Sequence, residues 1–156
     1  MNSTFETRPP PARPVAGAVA WRLAEFAAQA RPGQAPLQAM RLSLLDWAVC
    51  TIAGASEPVA RILRAQAEAE GGAAQSSLAG APLLRVPARA AALVNGAASH
   101  ALDYDDTHFA HIGHPSVAVL PAALAVAERQ GAPGEDMLAA ALLGAEASIR
   151  VGTWLG

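Results

Sequence analysis

Proline and glycine cut this sequence into pieces of helix length, and alanine fills the pieces between them. Alanine has the best intrinsic helix propensity, whereas proline and glycine end or open helices, so this punctuation predicts an all-α fold. Val15 to Arg31 places Val19, Leu23, Phe26 and Ala27 on one face and stops before Pro32-Gly33. Leu37 to Ala53 repeats the 3.6-residue period with Met40, Leu44, Leu45, Ala48 and Ile52. Pro58 to Glu70 opens on Glu57-Pro58 and ends at Gly71-Gly72. A helix opened by Pro87 is expected to run towards Asp103 or beyond, followed by helices from Pro115 to Arg129 and from Gly134 to Leu155. Between Ala73 and Val86 the pattern is weak. A short extended piece near Gln75 to Leu78 and a turn at Gly80-Ala81-Pro82 are expected, with no alternation strong enough for a sheet.

Bulk properties narrow the function class. The chain has 156 residues, is 53% hydrophobic and 15% charged, and carries a formal charge of −2. That balance belongs to a globular chain, and the lack of a basic run argues against nucleic acid as a partner. Cys50 is the single cysteine and lies in an apolar helical pattern, so no internal disulfide can form, and a buried thiol in a reducing cytoplasm is expected. Residues 1–14 lack the apolar core of a signal peptide, and their prolines predict a flexible extended arm. The most apolar later stretch, Met137 to Ile149, is interrupted by Glu146 and reads as too short to span a bilayer. A soluble cytoplasmic protein with no membrane partner is therefore expected.

One window stands apart. All four histidines, His100, His108, His111 and His114, lie within fifteen residues, together with Asp103, Asp105 and Asp106. Imidazole is the side chain most easily tuned to move protons near neutral pH, and carboxylates orient it or act as bases. A helix continuing through the window would put Gly96, His100, Asp103 and Thr107 on one face, with open space beside Gly96. His114-Pro115 reads as the cap and first position of the next helix, whose free amides and imidazole suit a carboxylate ligand. Simpler readings compete. Aspartates between helices often serve only as caps, and His108 and His111 can be loop surface. The histidine intervals match no compact zinc pattern, so no metal is expected. Trp21, Trp47 and Trp154 read as core, and Glu146 with Arg150 as an i, i+4 ion pair.

The run LVNGAASHALDYDDTHFAHIGHPSVAVLPAALAVAE, residues 93–128, resembles the N-terminal region of the MmgE/PrpD family. The features that carry the resemblance are the N-G before the helix end, the H-x-L-D-Y-D-D-T core, the H-P-S opening the next helix and P-A-x-L-A-x-A-E after it. Leu44-Leu45-Asp46-Trp47 with Ala53-Gly54, and the G-x-E-x-x-x-R of Gly144, Glu146 and Arg150, extend the likeness over nearly all of the chain after the arm. The resemblance implies a large helical domain built from both chain ends, with a smaller lid domain inserted later. Residues 15–156 would be the N-terminal part of that domain only, with the lid absent. It also implies a lyase without metal or organic cofactor that acts on di- or tricarboxylates, by dehydration or decarboxylation, with epimerisation as a further family activity. Asp103, Thr107 and His114 match the positions that line the family's site, and His100 and His111 are assigned to substrate binding. Of the basic residues only arginine occurs, and the family's lysines, further histidine and tyrosine belong to later segments. A carboxylate substrate, a C-terminal partner chain and a homo-oligomer are the partners expected. A non-catalytic helical module on the same scaffold is the alternative.

Overall fold

A computed structural model describes residues 19–155, so the arm expected over residues 1–14 lies outside the described residues. The chain divides into two units, Met1–Ala30 and Arg31–Gly156. In the first, α1 (Val19–Gln29) is closed by the amide of Ala30, which donates to the carbonyl of Phe26 at 2.9 Å. No residue of α1 is buried, so Trp21 is not the core residue its apolar setting predicts.

The second unit holds α2 (Gln34–Gly54), α3 (Pro58–Glu70), β1 (Ser76–Leu78), β2 (Ala81–Val86), α4 (Ala88–His100), α5 (Pro115–Gln130) and α6 (Gly134–Leu155). Its punctuation works as the residue types demand. Pro58 and Pro115 occupy first turns, where a missing N–H costs nothing. Gly131 ends α5 at φ 65°, a left-handed conformation that glycine reaches without strain.

The expectation of no sheet is corrected. β1 and β2 form an antiparallel hairpin with Ser76 opposite Val86 and Ser77 opposite Arg85, and an irregularity between Ser77 and Leu78. The hairpin is hidden from periodicity because it is held by side chains from elsewhere. Ser76 Oγ donates to the carbonyl of Ala125 at 2.7 Å, and Glu128 accepts from the amide of Ser77 at 2.7 Å, both on α5. Asn95 on α4 accepts from the amide of Ala79 at 2.9 Å and donates to the carbonyl of Ser77 at 3.0 Å.

Two apolar clusters fill the unit. Leu78, Val86, Ala91, Val94 and Ala125 pack the hairpin against α3, α4 and α5. Met40, Trp47, Leu120, Leu138, Ala141 and Ala145 join α2, α5 and α6. The buried face of α2 is partly the one periodicity chose, since Met40, Leu44 and Ala48 pack in the second cluster. Met40 and Trp47 are buried, but Leu45 and Ile52 are 62% and 64% exposed and align with Leu42 and Val49 on the opposite side. A helix apolar all round offers no contrast from which to choose. Trp154 is 76% exposed, a second correction to the tryptophan reading. By length and composition alone α6 is long and apolar enough to cross a membrane, although Met137, Leu138, Ala141 and Ala145 are buried.

Gly96 lines a hollow with His100, Val59 and Leu93, and it also stands at a close helix crossing. A Cβ there would lie 3.1 Å from the carbonyl oxygen of Val117 and 3.5 Å from Pro121 Cγ. Pro121 sits inside α5 and has no N–H to offer Val117 four residues earlier, so that freed carbonyl abuts the bare glycine. This close crossing of α4 and α5 fixes the helix ends that carry the histidine window.

Candidate active site

The helix from Pro87 does not continue through the window. It ends at His100, and the chain turns, with the amide of Asp103 donating to the carbonyl of His100 at 3.2 Å. Asp103 itself adopts φ 57°, which aspartate tolerates better than most residues. The helical face expected to unite Gly96, His100, Asp103 and Thr107 is therefore absent. The turn brings Asp103 and His100 together by another route.

That route ends in a compact cluster. His100 Nδ1 lies 2.9 Å from Asp105 Oδ1 and 4.0 Å from Asp103 Oδ1. His114 Nδ1 lies 3.1 Å from the backbone oxygen of Asp105 and 3.6 Å from Asp105 Oδ2, while its Nε2 is 3.6 Å from Asp103 Oδ1. The two imidazoles are tilted by 59° with ring centres 4.7 Å apart. His114 caps α5, as its position before Pro115 predicts. The positive end of that helix faces the cluster.

The amides at that helix end are not all free. Asp106 accepts from the amide of Ser116 at 3.2 Å and from its hydroxyl at 2.5 Å, so a carboxylate of the protein already occupies part of the site expected for a ligand. Asp106 thus takes the capping role, and the three aspartates divide their work. Asp103 is exposed on the rim, Asp105 is buried beneath the imidazoles and Asp106 holds the next helix.

Thr107 and His111 stand outside this group. Thr107 is exposed and lines a hollow with Met40, Ser43, Ser116 and Glu146. His111 packs on α6, its ring occupying the space beside Gly152 where a Cβ would stand. The amide of His108 donates to the carbonyl of Gly113 at 2.8 Å, closing a small loop whose tip exposes Phe109 and Ile112. Glu146 and Arg150 form the ion pair predicted for them, with Arg150 Nε 3.0 Å from Glu146 Oε1.

Asp105 is the residue the spacing does not single out. Its side chain is fully buried, and Oδ2 has no hydrogen-bond partner among the described residues. His100, Asp103, Asp105 and His114 are also the group that could hold a metal ion, with one ligand atom from each lying within 4.8 Å of the others. Buried Cys50 lies close enough to feel this loop. Burial, and then the charges of Asp46, Asp105 and Asp106, push its thiol above the ordinary value.

Comparison with known proteins adds a family to this geometry. Residues 21–156 match the MmgE/PrpD N-terminal domain. A stretch of 53 residues is 49% identical to the cis-aconitate decarboxylase of Homo sapiens. That stretch is 34% of this chain and 11% of the decarboxylase, so the match spans a small part of the relative's length.

Proposed function

The chain belongs to the MmgE/PrpD family, and we propose that it forms the imidazole-bearing wall of a lyase site for di- or tricarboxylates. The observation that carries this reading is the pair of imidazoles, His100 and His114, held at the N-terminal end of α5 with Asp103 beside them. In the reaction, a proton leaves the carbon next to a carboxylate and the hydroxyl on the neighbouring carbon departs as water, or a carbon–carbon bond breaks to release carbon dioxide and the carbanion left behind takes up a proton. Either way an electron pair is left beside a carboxylate, and cationic or hydrogen-bonding groups must stabilise it. His114 Nε2 exchanges the proton with substrate, and Asp103 Oδ1, 3.6 Å away, steadies the imidazolium that results. His100 supplies a second ring to the substrate side, and the Thr107 hydroxyl bonds an outlying substrate oxygen. His111, seated on Gly152, has no part in this scheme.

The wall is rich in negative charge. Asp103 and Asp105 flank the imidazoles, and the sequence contains no lysine. Neutralising a tricarboxylate therefore falls to cations from another segment, which is the role proposed for a C-terminal partner. Co-expression of the chain with the segment that follows this domain in the family gives the assay. Carbon dioxide release from cis-aconitate and dehydration of 2-methylcitrate are to be followed. His114→Ala is expected to lower kcat by about 100-fold or more. Unchanged kcat would overturn the assignment.

A second reading, a non-catalytic module that self-associates, is favoured by the exposed line of Leu42, Leu45, Val49 and Ile52 on α2. It predicts oligomers by size-exclusion chromatography and no turnover with any partner segment.

A further inference from the structure

Asp105 touches both imidazoles, through different atoms, and each contact dictates where a proton must sit. An ionised carboxylate can only accept a hydrogen bond, so with Asp105 ionised His100 Nδ1, 2.9 Å from Oδ1, carries the hydrogen. The backbone carbonyl of Asp105 can likewise only accept, so His114 Nδ1, at 3.1 Å, must also be an N–H. Each neutral ring then keeps its lone pair on Nε2. A neutral histidine in water has no such constraint, and the partner of one ring nitrogen decides what the other does.

We propose that Asp105 is the positioning residue of this site, fixing His100 and His114 in the Nδ1–H form so that both Nε2 atoms face the substrate side. The inference rests on the reading of this cluster as the reactive wall, but its chemistry is separate from turnover. Burial supports a dedicated role. The carboxylate has lost all contact with solvent, which is costly unless its oxygens are matched by donors. Oδ1 faces His100 Nδ1, whereas Oδ2 has no hydrogen bond and lies 3.6 Å from His114 Nδ1. That oxygen draws the His114 N–H towards it, so His114 leans on both the carbonyl and the carboxylate of one residue. A single buried aspartate thereby sets two rings whose centres are 4.7 Å apart. Asp103, at 76% side-chain exposure, cannot impose such order, and its contact is with the opposite nitrogen of His114.

The test is long-range proton–nitrogen correlation NMR on the full, 15N-histidine-labelled chain at a pH where the rings are neutral, with single histidine substitutions to assign the signals. His100 and His114 are both expected to carry the proton on Nδ1. A proton on Nε2 of either ring in the unaltered chain overturns the proposal, whatever any variant does. Asp105→Ala removes the carboxylate but keeps the backbone carbonyl. It should move the proton of His100 towards Nε2 and leave that of His114 on Nδ1. Asp105→Asn, which restores an acceptor oxygen, should return His100 to Nδ1–H. If Asp105→Ala unfolds the chain, the unaltered protein and the asparagine variant still decide the question. Nδ1 protons without turnover in any co-expressed pair would uphold the positioning role and sink the lyase reading. Turnover with Nε2 protons would do the reverse.

Discussion

Cys50 shows how far the acidic loop reaches into the protein. Its thiol is buried on α2, one turn after Asp46, and the carboxylates of Asp105 and Asp106 add to the burden on a thiolate. The folded chain therefore holds the thiol proton to higher pH than the unfolded chain does. The stability this brings is fully present below the unfolded thiol value of about 8.5 and is lost as pH rises through the folded one. Urea midpoints should fall between about pH 7.5 and pH 9.5, and the fall should shrink in Cys50→Ala. Iodoacetamide should modify the folded thiol at least about 10-fold more slowly than the urea-unfolded one at the same pH. The histidine window is legible in the sequence, because its residues crowd into fifteen positions. The division of labour among Asp103, Asp105 and Asp106 is not. Three neighbouring aspartates carry identical chemistry, and only the left-handed turn at Asp103, followed by burial of Asp105, tells them apart.

Among elements, helix boundaries set by proline or glycine fall where the residues predict. α3 spans Pro58–Glu70, α5 opens at Pro115 and α6 spans Gly134–Leu155. Elements defined by distant partners escape local reading. β1 is three residues long and owes its position to Ala125 and Glu128 on α5 and to Asn95 on α4. The same holds for glycines that serve a crossing. Gly54, the last residue of α2, lets that helix meet α4 so closely that a Cβ would lie 2.1 Å from the carbonyl oxygen of Ala98. Alanine is the better helix former, yet here it would force backbone apart. Gly54→Ala should therefore destabilise the chain by about 1–3 kcal/mol, seen as a lower Tm. A gain in Tm would mean that the crossing relaxes freely.

At the scale of the second unit, an apolar line along α2 is left uncovered. Leu42, Leu45, Val49 and Ile52 run along α2, each more than half exposed. Apolar side chains so aligned bind environment-sensitive dyes or one another. The isolated chain should therefore enhance anilinonaphthalene sulfonate fluorescence, and Leu45→Glu with Ile52→Glu should reduce the signal by about half or more. An unchanged signal would place the dye site elsewhere. The histidine window, by contrast, is closed on itself. Because His108 and Gly113 pair across the base of their loop, the path from Thr107 to His114 keeps its span whatever the tip contains. Length variation among relatives can accumulate at Phe109 and Ile112 without shifting the register of His114. The same bridge makes that tip a natural point for grafting a peptide tag or reporter, since the chain on either side is already tied off.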